Sequence, residues 1–355
     1  MTTSRDAVAR TSAADLDRYS RQMRFSGIAE AGQKKLAGAR VLLCGVGALG
    51  TVLANTLARA GVGFIRLVDR DFVELSNLQR QVLFDESDVA GNTPKAEAAA
   101  VKLRQINSQV TYEPVVAHID RSNIEALASD VDLIADGSDN FEIRYLINDV
   151  AVKQGKPWVH GGCIGSHGQT ITIIPGKTPC LRCVFEAAPG PGEAATCESA
   201  GVLAPIISII ANFQATEALK ILSGAEDAIN RELLYIDCWE NTTRRVRIAP
   251  LLGKVDCPCC QHRRFDWLEG AMGVQTTSLC GRNAVQVVPP GKVKIDLARL
   301  ADSLKNYGTP QLTRFLLKVE IDGFLFTIFP DARAIIQGTD DEERALALYA
   351  RYVGH

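Results

Sequence analysis

The chain is 355 residues long, 46% hydrophobic and 23% charged, the balance of a globular protein with room for one large domain and a small one. Its 39 basic and 41 acidic side chains leave a formal net charge of −2, so nothing electrostatic favours nucleic acid or a membrane surface as a partner.

Residues 1–16 are polar and lack the apolar stretch of a secretory signal, and they are expected to form a flexible N-terminus. Ten cysteines without an export signal point to a reducing, cytoplasmic setting, where cysteine is more often a metal ligand or nucleophile than half of a disulfide. Arginines at 18, 21 and 24 follow. A helix here either brings Arg21 to a phosphate, in its own subunit or a neighbour's, or is a solvated amphipathic turn.

Val41 to Cys44 reads as a buried strand. Gly45-Val46-Gly47-Ala48-Leu49-Gly50 then opens a helix to about Ala60, and a second strand from Phe64 to Val68 ends on Asp69. This is a βαβ nucleotide fingerprint: the glycines let backbone N–H groups approach a phosphate, and an acid roughly 20 residues on meets a ribose hydroxyl. Alone it favours a dinucleotide, whose pyrophosphate needs only to be held. Breaking ATP takes cations and a metal-holding carboxylate, and Asn77, Arg80, Lys95 and Asp139 supply that set.

Pro94 and Lys95 open a helix to about Asn107. A lysine in a first turn opposes the helix dipole unless an anion is near, which marks Lys95 as functional. A strand is expected over 110–116, a helix capped by Ser122 and ending near Ser129, and an apolar strand over 131–135. That strand ends in Asp136-Gly137-Ser138-Asp139-Asn140, and a helix follows from Phe141 to about Gln154. Strand ends in such folds form the ligand crevice, so Asp69, Asp136 and Asp139 converge there; one holds Mg²⁺, unless Asp139 merely caps the helix. After a strand over 157–160, the alternation of 168–174 predicts an antiparallel or edge strand and hence a mixed sheet. Cys163 is read as a packed thiol. The apolar stretch 202–222 is interrupted by Pro205, Asn212, Gln214, Glu217 and Lys220, which predicts a buried helix and excludes a membrane span.

Cys180-Leu181-Arg182-Cys183 and Cys257-Pro258-Cys259-Cys260 are two C-x-x-C knuckles, which fit a structural Cys₄ zinc site with Cys259 as the surplus thiol. A redox pair is the alternative, weakened because neither knuckle reads as the start of a helix. A Pro-, Gly- and Ala-rich crossing loop over 187–195 leads to Cys197 near the start of the apolar helix. There it is either a nucleophile toward an activated carbonyl or a space-filling thiol.

In combination these residues resemble the ThiF/MoeB/HesA family, the prokaryotic relatives of ubiquitin-activating enzymes, over about Asp17 to Phe265. The motifs are Arg18-Tyr19-Ser20-Arg21-Gln22, the loop 45–50, Asp69-Arg70-Asp71, Ser76-Asn77-Leu78-Gln79-Arg80-Gln81, Pro94-Lys95, Ser138-Asp139-Asn140, both knuckles and Cys197-Glu198-Ser199-Ala200-Gly201-Val202. The resemblance implies a Rossmann-like, doubly wound, mostly parallel α/β sheet. It also implies ATP-dependent adenylation of the C-terminal glycine of a ubiquitin-like sulfur carrier that ends in Gly-Gly, serving thiamine or molybdopterin synthesis.

Carried over residue by residue, the resemblance gives Gly45, Gly47, Ala48, Gly50, Asp69, Asp71, Ser76, Asn77, Leu78, Gln79, Arg80, Lys95, Asp139 and Asn140 to the nucleotide. Asp139 holds Mg²⁺, Cys180, Cys183, Cys257 and Cys260 hold zinc, and Arg21 reaches into the other site of a homodimer. Cys197 matches the position at which some members link covalently to the carrier. A cysteine desulfurase or sulfurtransferase is the implied sulfur source. Ala48 stands where the family often has glycine, and the stretch from Arg80 to Lys95 is slightly longer than usual.

Residues 17–269 thus form the adenylating domain, 270–283 a linker and 284–355 a small α+β domain. In that domain strands are expected at 284–288, 311–321, 324–329 and 332–338, and helices at 294–305 and 341–353. No cysteine follows Cys280, so this tail is not a sulfur-transferring rhodanese. Two competing readings stand beside the adenylating enzyme: a non-catalytic carrier-binding scaffold and an NAD(P)-dependent oxidoreductase.

Overall fold

The computed structural model describes residues 17–188, 200–272, 275–278, 283–289, 294–313 and 316–354. The expectations for residues 1–16, for most of the crossing loop and for Cys197 lie outside the described residues.

Eight strands form the main sheet: β1 (Arg40–Cys44), β2 (Phe64–Val68), β3 (Thr111–Val115), β4 (Leu133–Asp136), β5 (Trp158–Ile164), β6 (His167–Ile173), β7 (Glu232–Asp237) and β8 (Thr242–Arg247). Their order is β3-β2-β1-β4-β5-β6-β7-β8. Pairings from β3 through β5 are parallel and those from β5 through β8 antiparallel, so the sheet is mixed as the alternation of 168–174 required.

The apolar run of β1 is continuous because both faces of the sheet are covered. Val41 and Leu43 pack with Leu53, Leu57, Leu103 and Ile210 on one face. Leu42 and Cys44 pack with Ile147, Val150 and Trp158 on the other. The chain leaves β1 in one direction and β4 in the other, which opens a crevice at their carboxyl ends. Two turns meet there without side chains: a Cβ on Gly50 would lie 2.1 Å from the Gly45 carbonyl oxygen, and one on Gly137 2.5 Å from the same atom.

The helix Ala204–Ser223 is long and apolar enough, by length and composition, to cross a membrane, so its polar interruptions do not exclude that on their own. Burial is the better discriminator, since 56% of its apolar window lies inside the protein. Gln214 is buried and donates to the carbonyls of Asp136 (2.9 Å) and Val159 (3.2 Å), tying the helix beneath the crevice.

The C-terminal residues build a second sheet with its own core, ordered β11-β12-β13-β14-β10-β9: β9 (Gln275–Ser278), β10 (Ala284–Val288), β11 (Gln311–Leu312), β12 (Leu317–Ile321), β13 (Phe324–Ile328) and β14 (Ala334–Gln337). In β12, Leu317, Val319 and Ile321 are buried and Lys318 and Glu320 exposed, the alternation of a one-sided antiparallel sheet. Helices Leu297–Leu304 and Glu342–Tyr352 contribute their apolar stripes to the same core.

Four local expectations need correction. The stretch 270–283 holds β9, which pairs with β10 although its Gln-Thr-Thr-Ser sequence carries no apolar period. The single strand expected over 311–321 is a hairpin, with Leu312 opposite Leu317. Ser122 does not cap the helix Ile124–Ala128; instead its own N–H and hydroxyl donate to Asp120 at 2.7 and 2.6 Å. Finally, Cys180 does open a helical turn, Leu181–Val184, so helix position does not tell this knuckle from a redox pair.

Candidate active site

The crevice is assembled from three turns. The first joins β1 to the helix Ala48–Ala60. Gly45 takes φ +89°, where a side chain would be strained, and the first hydrogen bond inside the helix runs from Thr51 N to the Gly47 carbonyl at 2.9 Å. The N–H groups of Ala48, Leu49 and Gly50 therefore precede the helical ladder, as at other anion-binding helix starts. A Cβ on Gly47 would meet only Gln81 Nε2, at 3.9 Å, so that glycine is not demanded by the protein's own packing. Gln81 itself is buried, with Oε1 lacking a hydrogen-bond partner.

The second turn follows β2. The Asp69 carboxylate accepts from Val46 N (2.7 Å) and Asp71 N (2.8 Å), which locks the acidic turn to the glycine loop. The same turn is stitched to the start of the helix Lys95–Ile106: Phe72 bridges Pro94, Val73 N donates to Thr93, and Lys95 N donates to Asp71 at 2.8 Å. Lys95 is thereby buried at 7% exposure, with Nζ 3.2 Å from Asp71 Oδ2. Burial pushes its ammonium toward neutrality, but Asp69, Asp71 and Asp139 outweigh that and raise its pKa, so it stays charged. Burial also pushes the Asp71 carboxyl up, yet Lys95, Arg70 and Arg351 hold it below the usual range. For Asp69 burial wins and the pKa rises. The anion that a lysine in this first turn required is the acidic cluster itself.

The third turn follows β4. Asp136 is fully buried, accepting from Ser138 N (3.0 Å), Ser138 Oγ (2.6 Å) and His160 Nδ1 (2.7 Å), with Arg144 Nε at 3.7 Å. It is a structural anchor, and it drops out as a metal ligand. Burial opposes its charge, but His160, Arg144 and Ser138 hold its pKa low. Asp139 is exposed and has no hydrogen-bond partner among the described residues. The helix cap beside it is Asn140, whose Oδ1 accepts from Glu142 N at 2.7 Å and Ile143 N at 3.4 Å. Arg144 and His160, which hold this turn, escaped sequence reasoning.

The loop 75–81 closes the crevice from the side. Asn77 is buried and accepts from Glu74 N at 3.1 Å, Leu78 packs on the core, Ser76 Oγ donates to Glu74 at 3.3 Å, and Gln79 is exposed. Arg80 donates from Nη1 to the Ser76 carbonyl at 2.8 Å and makes no ion pair with the three acids. Arg21 lies elsewhere. Its short helix is fastened by Gln22 to the Ala60 carbonyl (3.0 Å), by Tyr19 to Asn107 (2.8 Å) and by Arg18 to the Ile106 carbonyl (2.9 Å). These are the far ends of the two helices whose starts form the crevice, one of them 13 residues and so about 20 Å long.

Cys180, Cys183, Cys257 and Cys260 bring all four sulfurs within 4.8 Å of one another. Separations of 3.8, 3.5 and 3.3 Å approach the edge of about 3.8 Å that four Zn–S bonds of about 2.3 Å would give. Cys259 points instead to Asn148, whose Nδ2 donates to its sulfur at 3.3 Å. Convergence of two knuckles, rather than helix position, distinguishes this cluster from a redox pair.

The ThiF family model matches residues 19–259. The chain belongs to the ThiF family. It is 43% identical to the "Sulfur carrier protein ThiS adenylyltransferase" of Bacillus subtilis over 95% of this chain and 99% of that one. It is 40% identical to the "SAMP-activating enzyme E1" of Haloferax volcanii over 75% and 97% of the two chains. Among solved structures, Escherichia coli MccB superposes with a TM-score of 0.60 at 24% identity over 70% of this chain and 73% of MccB, a likeness of fold.

Proposed function

We propose that this ThiF-family chain is an adenylyltransferase that activates the C-terminal carboxylate of a small ubiquitin-like sulfur carrier with ATP. One observation carries the reading: a buried, charged lysine sits among three carboxylates beside a glycine loop, an arrangement built for charge exchange with a triphosphate. An oxidoreductase only has to hold its cofactor's pyrophosphate and has no use for such a cluster. Membership of a family whose relatives are named adenylyltransferases points the same way.

The open N–H groups of the loop 47–50 and the unpaired Gln81 Oε1 fit a nucleotide, with Asp69 toward the ribose. The carrier's terminal carboxylate oxygen bonds to the α-phosphorus, the bond to the bridging oxygen breaks, and its electron pair departs with pyrophosphate. Carboxylates are ionised at neutral pH, so the step needs no general base. Lys95 and Arg80 offset charge on the phosphates. Arg21 does so from a second copy of the chain, since its helix is anchored away from its own crevice. Asp139, exposed and without a hydrogen bond, is the fitting ligand for Mg²⁺, which when bound would neutralise phosphate charge.

The cysteine cluster holds zinc as a staple between residues 180–183 and 257–260. Cys197 is the candidate for a covalent link to the carrier, and a cysteine desulfurase or sulfurtransferase is the matching sulfur source. A cytoplasmic location suits the free thiols. The test is exchange of labelled pyrophosphate into ATP with each small Gly-Gly-ending protein of the source genome. Exchange that depends on one of them is expected; exchange with none would sink the proposal and favour a carrier-binding scaffold.

A further inference from the structure

The acidic turn is tied to the C-terminal sheet domain by one side chain. Arg70 Nη1 donates to the carbonyl of Glu343 at 3.1 Å, across 273 residues of sequence. That carbonyl belongs to the first turn of the helix Glu342–Tyr352, which is fixed by its cap: Asp341 accepts from Glu343 N at 2.9 Å and Arg344 N at 3.2 Å. On its other side Arg70 Nε lies 3.6 Å from Asp71 Oδ1, while Asp71 Oδ2 faces Lys95 Nζ at 3.2 Å. Glu343, Arg70, Asp71 and Lys95 thus form one continuous chain of polar contacts from the C-terminal domain to the crevice.

If Lys95 gives its charge to a triphosphate, its hold on Asp71 must loosen, and Asp71 then depends on Arg70, 3.6 Å away, and Arg351 to keep it from repelling the ligand. Arg70 contributes its share only while it stays on Asp71. An arginine whose side chain is 23% exposed still has rotamers to lose, and the Glu343 carbonyl removes that freedom. We propose that Arg70 is a positioning residue of the nucleotide site and that the C-terminal domain sets its position. Asp71 then remains charge-paired when Lys95 turns to the phosphates. This rests on the reading of Lys95 as a phosphate ligand and gives the C-terminal domain a role in it.

The test is equilibrium binding of ATP and of adenosine to the full chain by titration calorimetry. Arg70→Met should weaken ATP about tenfold and leave adenosine, which lacks phosphates, within twofold. Asp341→Ala, which frees the turn carrying the Glu343 carbonyl, should weaken ATP several-fold. The double variant should be no weaker than Arg70→Met alone, because both changes cut the same chain of contacts. Unchanged ATP affinity in Arg70→Met, equal losses for ATP and adenosine, or additive losses in the double variant would each overturn the proposal. Should Arg70→Met not fold, Asp341→Ala decides alone: a loss confined to ATP supports the proposal, and none overturns it. A wild-type chain that binds ATP but exchanges no pyrophosphate would sink the adenylation reading and leave this measurement standing.

Discussion

The crevice and the cysteine cluster both gather groups that a cation would balance, and they differ in where that cation would come from. Around Lys95 three carboxylates raise the pKa of a lysine that the chain supplies on a flexible stem, with Arg70 and Arg351 also holding Asp71, so an incoming anion can compete for the lysine. At the cysteines four sulfurs converge within 4.8 Å from segments 77 residues apart, and the cation that would balance their thiolates would come from outside the chain. On the proposed reading, exchangeable charge serves the chemistry. Charge that is locked in place belongs to the scaffold.

Breaking each side of this comparison should have different consequences. Lys95→Ala removes the exchangeable cation and should lower the rate of pyrophosphate exchange by roughly 10²–10³-fold, the usual cost of deleting one transition-state donor, while bound zinc is retained. Cys257→Ser should do the reverse for the metal. Bound zinc measured by atomic emission should vanish and the melting temperature fall by roughly 5 °C or more, whereas Cys259→Ser keeps its zinc. Equal metal loss in both would show that the ligand set is wrong.

A smaller effect sharpens the role of the scaffold under the crevice. Burial lowers the pKa of His160 below the ordinary 6.5 despite its bond to Asp136, so the unfolded chain takes up that proton first. Stability from this group is complete above pH 6.5 and declines as pH falls below it. His118, pushed down to about 4 by burial and Arg70, adds a slope of the same sign, and Asp149, pushed up to about 6 by burial, one of opposite sign. The informative quantity is therefore a difference: urea titrations of His160→Gln should show a shallower loss between pH 6.5 and 5 than wild type. Smallest of all, Ala48→Gly should change the KM for ATP less than twofold, because the proposed contact there is the backbone N–H.

Legibility in the sequence followed the physical signal. The first βαβ unit could be read because strands buried on both faces are continuous apolar runs and its turn needs glycine at Gly45 and Gly50. The C-terminal strands could be read from alternation, as in Leu317 to Ile321. Strand β8 was not anticipated: it is an exposed edge of Thr, Arg and Val, held by backbone pairing with β7 and one ion pair, Arg245 to Glu232, and it carries no apolar period. The polar β9 went unseen for the same lack of an apolar period. The Asp136–His160–Arg144 anchor left no local trace, since its members lie on three different elements and meet only in the fold. That Lys95 needs an anion nearby was legible from its conflict with the helix dipole, and the acids beside it supply one, whereas Arg21 rests on family resemblance and on where its helix is fastened.

The most direct test of the account is a crystal structure of the chain with a non-hydrolysable ATP analogue. The account predicts that Lys95 Nζ moves off Asp71 onto the triphosphate while Arg70 keeps both Asp71 and the Glu343 carbonyl, with Asp139 at the phosphates. A nucleotide bound with the Lys95–Asp71 pair intact and the phosphates away from the loop 45–50 would contradict it.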